Sequence, residues 1–255
     1  MTIQSVQNIN TKNIAFTSAE NEKKSEGLSV GRKIGIGATT ALGVGAALVG
    51  MAKLNKFPIN PKTLLKTPIK DTFLNKQEYF EKEVIAMGLG SCAGGLAGGA
   101  IFDKKENLPA KKREAVVQLC NATTPILFVG AGARLVDKAA PALKKIVKPV
   151  TDKMTLSAGM KKVIGVTPKI AASLAGLAVG MLAGNKLSHI INNKLFGEKE
   201  DRPVSIKDLC AHTDDMCEMA SFISTTNPVI HGVSRIIPVA MLVPGIETGK
   251  AQAKD

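Results

Sequence analysis

Apolar residues in this chain gather in long uncharged runs rather than in short amphipathic stripes. Residues 34–52 (IGIGATTALGVGAALVGMA), 84–102 (VIAMGLGSCAGGLAGGAIF) and 170–184 (IAASLAGLAVGMLAG) hold no charge, and Leu187, Ile190 and Ile191 extend the third run towards residue 191. At about 1.5 Å per residue, nineteen helical residues fall just short of the roughly 30 Å hydrocarbon core of a bilayer. Each run therefore predicts a spanning helix. Inside the runs glycine recurs about once per turn: Gly90, Gly94 and Gly98 in one, Gly176, Gly180 and Gly184 in another, and Gly35 and Gly43 within the series Gly31, Gly35, Thr39, Gly43 and Ala47. Such ladders make flat stripes on which two backbones approach closely, the mode of helix association that lipid favours. In water each would cost about 1 kcal/mol relative to Ala. The fold class that follows is all-α, a multi-span membrane helical bundle with Gly-rich GxxxG helices.

Between the runs the pattern changes. Residues 1–30 are polar and predict a disordered segment. Residues 53–83 hold seven lysines and Pro58, Pro61 and Pro68, with Ile69, Phe73, Phe80 and Val84 approximating a helical stripe of the kind that lies in a membrane interface. Asn107 and Pro109 predict a cap and first-turn proline for a helix through Leu119. Pro125 predicts a break, so 110–133 reads as a Pro-broken segment. Residues 134–169, with nine basic and two acidic side chains, read as a basic connector. Ser205 and Asp208 have capping-box spacing ahead of an amphipathic helix over 205–223. A second Pro-broken segment covers 225–246, and 247–255 reads as a tail. The first helical unit is then 31–133 and the second 170–246.

The two units share features that predict a two-fold internal repeat. MGLGSCAGGLAGG at 87–99 parallels SLAGLAVGMLAG at 173–184, and Thr123, Thr124 and Pro125 ahead of Arg134 parallel Thr225 to Pro228 ahead of Arg235. Interrupted helices at equivalent places in two halves are the material of transporter sites.

Charge narrows the partners. Lys+Arg 34 against Asp+Glu 21 gives +13, which fits nucleic acid or an anionic membrane surface. No Trp, one Tyr and no zinc-finger spacing argue against nucleic acid. The basic residues lie between the apolar runs, where loops would meet the anionic headgroups of a lipid bilayer. Positive-inside counting, with 115–133 held not to cross, puts the N-terminus and 103–169 in the cytoplasm and leaves the lysines of 53–83 outside.

Candidate chemistry is sparse. Cys210, His212, Asp214, Asp215, Cys217 and Glu218 have metal-ligand side chains, but on a helix the cysteines take the apolar face while His212, Asp215 and Glu218 point outward, so no metal site is expected. No GxSxG is present, and the G-x-G patterns follow no strand, so neither an enzyme nor a cofactor is expected. Arg134, Arg235 and His231 lie beside apolar stretches, as membrane-interface or polar-pathway residues would. The repeated G-x-x-x-G resembles the glycine-zipper pattern of channel and pore-associated membrane helices over three runs, without family specificity. The reading is an integral membrane protein with a structural or assembly-forming role, its small-residue faces serving helix packing or a homo-oligomer. A transporter or pore component, and a soluble all-α protein that binds acidic partners, remain the alternatives.

Overall fold

The computed structural model of the chain describes residues 28–57, 59, 81–153, 157–197, 203–213, 215–216, 219 and 235–253. These are helical, with no strand among the described residues. The order is α1 (Val30–Leu54), α2 (Glu81–Phe102), a 3-10 turn (Lys105–Asn107), α3 (Leu108–Lys153), α4 (Ala158–Phe196), a 3-10 segment (Ile206–His212), α5 (Ile237–Ala240) and α6 (Leu242–Lys250). Within them, four stretches are long and apolar enough to cross a membrane: Val30–Leu54, Glu81–Phe102, Lys105–Leu143 and Val163–Phe196.

Two antiparallel pairs make the frame, α1 with α2 and α3 with α4, and α6 packs against α1, α2 and α3. The main core joins Val44, Leu48 and Ala52 of α1, Val84 and Met87 of α2, and Ala122 and Ile126 of α3 to Ala211, Ile237 and Met241. A smaller cluster of Val129, Leu177 and Met219 lies between α3 and α4. Ser157 caps α4, its hydroxyl accepting from Met160 N–H at 3.3 Å. Gly197, at φ 69°, ends that helix in the left-handed conformation that glycine adopts without strain.

The prolines do not break α3. The helix runs from Leu108 to Lys153 with Pro125, Pro141 and Pro149 inside it, so the expected interruption within 110–133 is absent and α3 passes through the 133/134 boundary. Nor are residues 134–169 a connector: α3 continues to Lys153 and α4 begins at Ala158. A proline removes one N–H, and a helix held by packing on both sides of that gap tolerates the loss. At 46 and 39 residues, α3 and α4 are about 69 and 58 Å long, so their joined ends form a basic hairpin that extends well past the apolar zone.

The fourth long apolar stretch changes the arrangement of charge. α1 ends and α2 begins at the same end of the bundle, where Asn55 donates to Glu83 at 3.0 Å. α2 ends and α3 begins at the other, and α3 then carries the chain back. The basic stretches 53–83 and 134–169 thus leave from one end, and Arg32, Asp103 and the end of α4 mark the opposite one.

Residues 247–255 are not a free tail as far as Ala253. Helix α6 continues to Lys250, and 251–253 dock on the turn between α2 and α3. Residues 1–27, all of 225–234, including His231, and the stripe residues Ile69, Phe73 and Phe80 lie outside the described residues.

Candidate functional site

The glycines sit at three close interfaces. On α1, Gly43 faces the carbonyl of Gly90, while Gly94 and Gly98 lie against Thr39, Thr40 and Ile36; Gly35 lies under the ring of Phe102. On α4, a Cβ at Gly176 would meet the Phe128 carbonyl at 2.6 Å, one at Gly180 would overlap Pro125, and one at Gly184 would meet the Cys120 carbonyl at 2.7 Å. A third interface, outside the sequence reading, places Gly95 and Gly99 of α2 against Gly245 and Gly249 of α6. There Gly245 N–H donates to Ser91 Oγ at 2.9 Å. Gly31 faces open space, but the other ladder glycines named from the sequence are met from within the chain.

Polar side chains fill the interior. At one end Lys111, with no exposed surface, donates to Asp103 at 2.8 Å and to the carbonyls of Gly249 at 2.6 Å and Ala251 at 2.8 Å. Its three N–H groups are all used. Asp103 also accepts from Asn107 at 3.0 Å and Gln252 at 2.9 Å, and Arg32 approaches to 3.6 Å. Burial raises the Asp103 carboxyl pKa, but hydrogen bonds from Lys111, the Lys104 backbone, Gln252 and Asn107 outweigh it and hold the group down at about 2. Asn107 does not act as the helix cap its position suggested; its carbonyl oxygen accepts from Ala253 N–H at 3.1 Å.

The second polar group lies deeper. Residues His212 and Asp215, expected to point outward from the 205–223 helix, are buried, and Met216, expected on its apolar face, is 53% exposed. Residues 206–212 form a 3-10 segment, whose angular spacing differs from that of an α-helix, and His212 turns inward beside Ala211 while Leu209 and Met219 pack on Val129 and Leu177. One arm of the expected capping box is present, Ser205 N–H donating to Asp208 at 2.7 Å. His212 Nε2 lies 2.8 Å from the main-chain carbonyl of Asn121. That carbonyl is the one which Pro125, four residues on and without an N–H, leaves without its helical partner. A carbonyl only accepts, so Nε2 carries the hydrogen. His212 Nδ1 then faces Asp215 Oδ2 at 3.1 Å. The side-chain amide of Asn121 is buried with both polar atoms unpaired.

Arg134 is exposed on α3 and Arg235 is half-buried ahead of α5. Among the described residues no three metal-ligating side chains gather. Lys111, Asp103 and Gln252 were not singled out from the sequence, because nothing in their local pattern distinguishes a buried polar cap from a solvated turn. Comparison with known protein families, characterised proteins and solved structures gives no match in any of the three.

Proposed function

We propose that this chain is an integral, multi-span membrane protein with a structural, assembly-forming role. The observation that carries the reading is an inverted distribution of polarity. Leu42 is 72% and Leu127 64% exposed, and Leu135, Leu174, Val179 and Leu182 also face outward, while Glu83, Lys111, Asn121, Ser173, His212 and Asp215 are buried. In water the exposed apolar faces would be costly; in lipid they are the solvated surface, and polar groups belong inside.

In this reading the glycine faces close the helix pairs of one molecule, which supports a scaffold more directly than a homo-oligomer built on the same stripes. That each pair is α-hairpin-like, with the glycine ladder on its second helix, is consistent with two related units, although α3 pairs with α4 rather than with the ladder of α2. The basic hairpin and the 53–83 connection would meet anionic headgroups at one surface.

The buried His212 and Asp215 favour a second reading, a transporter or pore component, since ionisable groups inside a spanning bundle often mark ion or proton paths. Cell-free synthesis tests the first reading. The chain should be recovered folded and protease-resistant only when lipid vesicles are supplied during synthesis; equal recovery without lipid would refute it.

A further inference from the structure

We infer, on the basis that the chain spans a membrane, that the hairpin formed by α3 and α4 is a tether whose tip docks on the anionic headgroups of a second, apposed membrane. Four helices mark the level at which the chain's own bilayer ends. Helix α1 closes with Lys53 and Leu54, and α2 opens at Glu81. A Cβ at Gly130 of α3 would meet Glu81 Oε1 at 2.7 Å, and one at Gly132 would meet the carbonyl of Ala172 on α4 at 2.8 Å. Residues 115–133 of α3 and 170–185 of α4 carry no charged side chain, and the first charges towards the hairpin tip are Arg134 and Lys169. Charge thus begins at one level on all four helices, which is where the hydrocarbon ends.

The hairpin continues well beyond that level. At about 1.5 Å per residue, α3 rises about 32 Å from Gly132 to Lys153 and α4 about 21 Å from Ala172 to Ala158. A headgroup layer is only about 5–8 Å deep. Arg134, Lys138 and Lys169 at the base lie within its reach, whereas the exposed Lys145 and Lys161 stand about 20 and 17 Å up. That is more than a Debye length, about 8 Å, past the layer, so their own membrane is screened from them. Asp137 pairs with Lys169 at 3.0 Å and braces the two helices against each other. Residues 140–165 hold Lys144, Lys145, Lys148, Lys153, Lys161 and Lys162 against Asp152 alone, a charge that suits an anionic surface facing the tip. Residues 134–169 contain no aromatic side chain and one arginine, so nucleic acid bases find nothing to stack on. Met160 is 54% and Val163 42% exposed beside the lysines, and apolar side chains set among lysines suit a headgroup surface.

The test reconstitutes the full chain into neutral phosphatidylcholine vesicles and adds acceptor vesicles with or without phosphatidylserine, following energy transfer between lipid dyes in the two populations. Flotation before mixing separates the two claims. Protein absent from the donor vesicles refutes the membrane-spanning reading and the tether with it; protein that floats with them but does not dock refutes the tether alone. Wild type should dock only on phosphatidylserine acceptors, with a gap of about 10–25 Å between headgroup layers in cryo-electron micrographs. It should release them at about 1 M salt, where the Debye length is about 3 Å. Lys144→Gln, Lys145→Gln, Lys161→Gln and Lys162→Gln together should weaken docking at least about a hundredfold, since each lysine near an anionic surface strengthens binding about fivefold. The same charge removed as Lys53→Gln, Lys56→Gln, Lys105→Gln and Lys194→Gln, all exposed positions away from the tip, should leave docking close to wild type. Equal docking on neutral acceptors, docking that the tip variant keeps, or equal loss in both variants would overturn the inference. A wild type that binds duplex RNA and ignores the acceptors would do so too.

Discussion

Gly43 and Gly90 lie backbone to backbone across the α1–α2 interface, and the relation is reciprocal: a Cβ built on either residue would strike the carbonyl of the other. Neither backbone can move aside as a flexible side chain could. Substituting Val at either position should therefore destabilise the pair by about 1–3 kcal/mol, the cost of overpacking a close interface. Gly45 has nothing within 4 Å of its would-be Cβ, so Gly45→Ala should be neutral or slightly stabilising. Denaturation by SDS from mixed micelles measures all three, and equal stability of Gly43→Val, Gly90→Val and Gly45→Ala would deny the interface.

The α3–α4 contact should respond in the same way. Gly180→Val places a side chain on Pro125 and Phe128, with an expected cost of about 1–3 kcal/mol. It should also disturb the neighbouring tie between His212 and Asn121. Protease sensitivity after residue 203 checks the second effect, and should rise in Gly180→Val but not in Gly43→Val.

Lys111 is buried against Asp103 and the last turn of α6. Lys111→Met would leave a buried carboxylate short of its nearest cation and release residues 249–253, at a cost of about 3–5 kcal/mol for breaking a buried pair. Carboxypeptidase digestion should then advance into α6 at a rate at least severalfold above wild type. Acid gives an independent reading. The folded carboxyl titrates near 2, below its ordinary 3.8, so its contribution is fully present above about pH 4 and is lost as pH falls from there towards 2. Asp103→Asn should abolish that part of the acid sensitivity.

The charge arrangement predicts sidedness. Single cysteines at Lys56 and Lys145, at the end where α1 stops and α3 meets α4, should be labelled by an impermeant maleimide from one and the same side. Those at Lys105 and Lys194 should be labelled from the opposite side. Labelling of Lys56 and Lys145 from different sides would mean that α3 does not cross.

The existence of α1, α2 and α4 and the location of the glycine faces could be read from the sequence because long uncharged runs and four-residue glycine spacing are local properties of the chain. Helix α3 was harder to read: Pro125 argues for a break in isolation, and only a side chain 87 positions later in the chain, at 212, repairs the gap. His212 itself was oriented wrongly because the pattern over 205–223 predicts a regular α-helix, whereas 206–212 form a 3-10 segment in which the faces fall at other positions. A carbonyl orphaned by a proline inside an apolar run is the signal that would have called for a distant donor. Lys111 left no such trace, since its partners are two backbone carbonyls and Asp103.

The account rests on a bilayer being the solvent of the exposed Leu and Val faces, and alkaline carbonate extraction of membranes from cells expressing the full chain tests that most directly. The protein should remain in the membrane pellet. Recovery in the soluble fraction would contradict it.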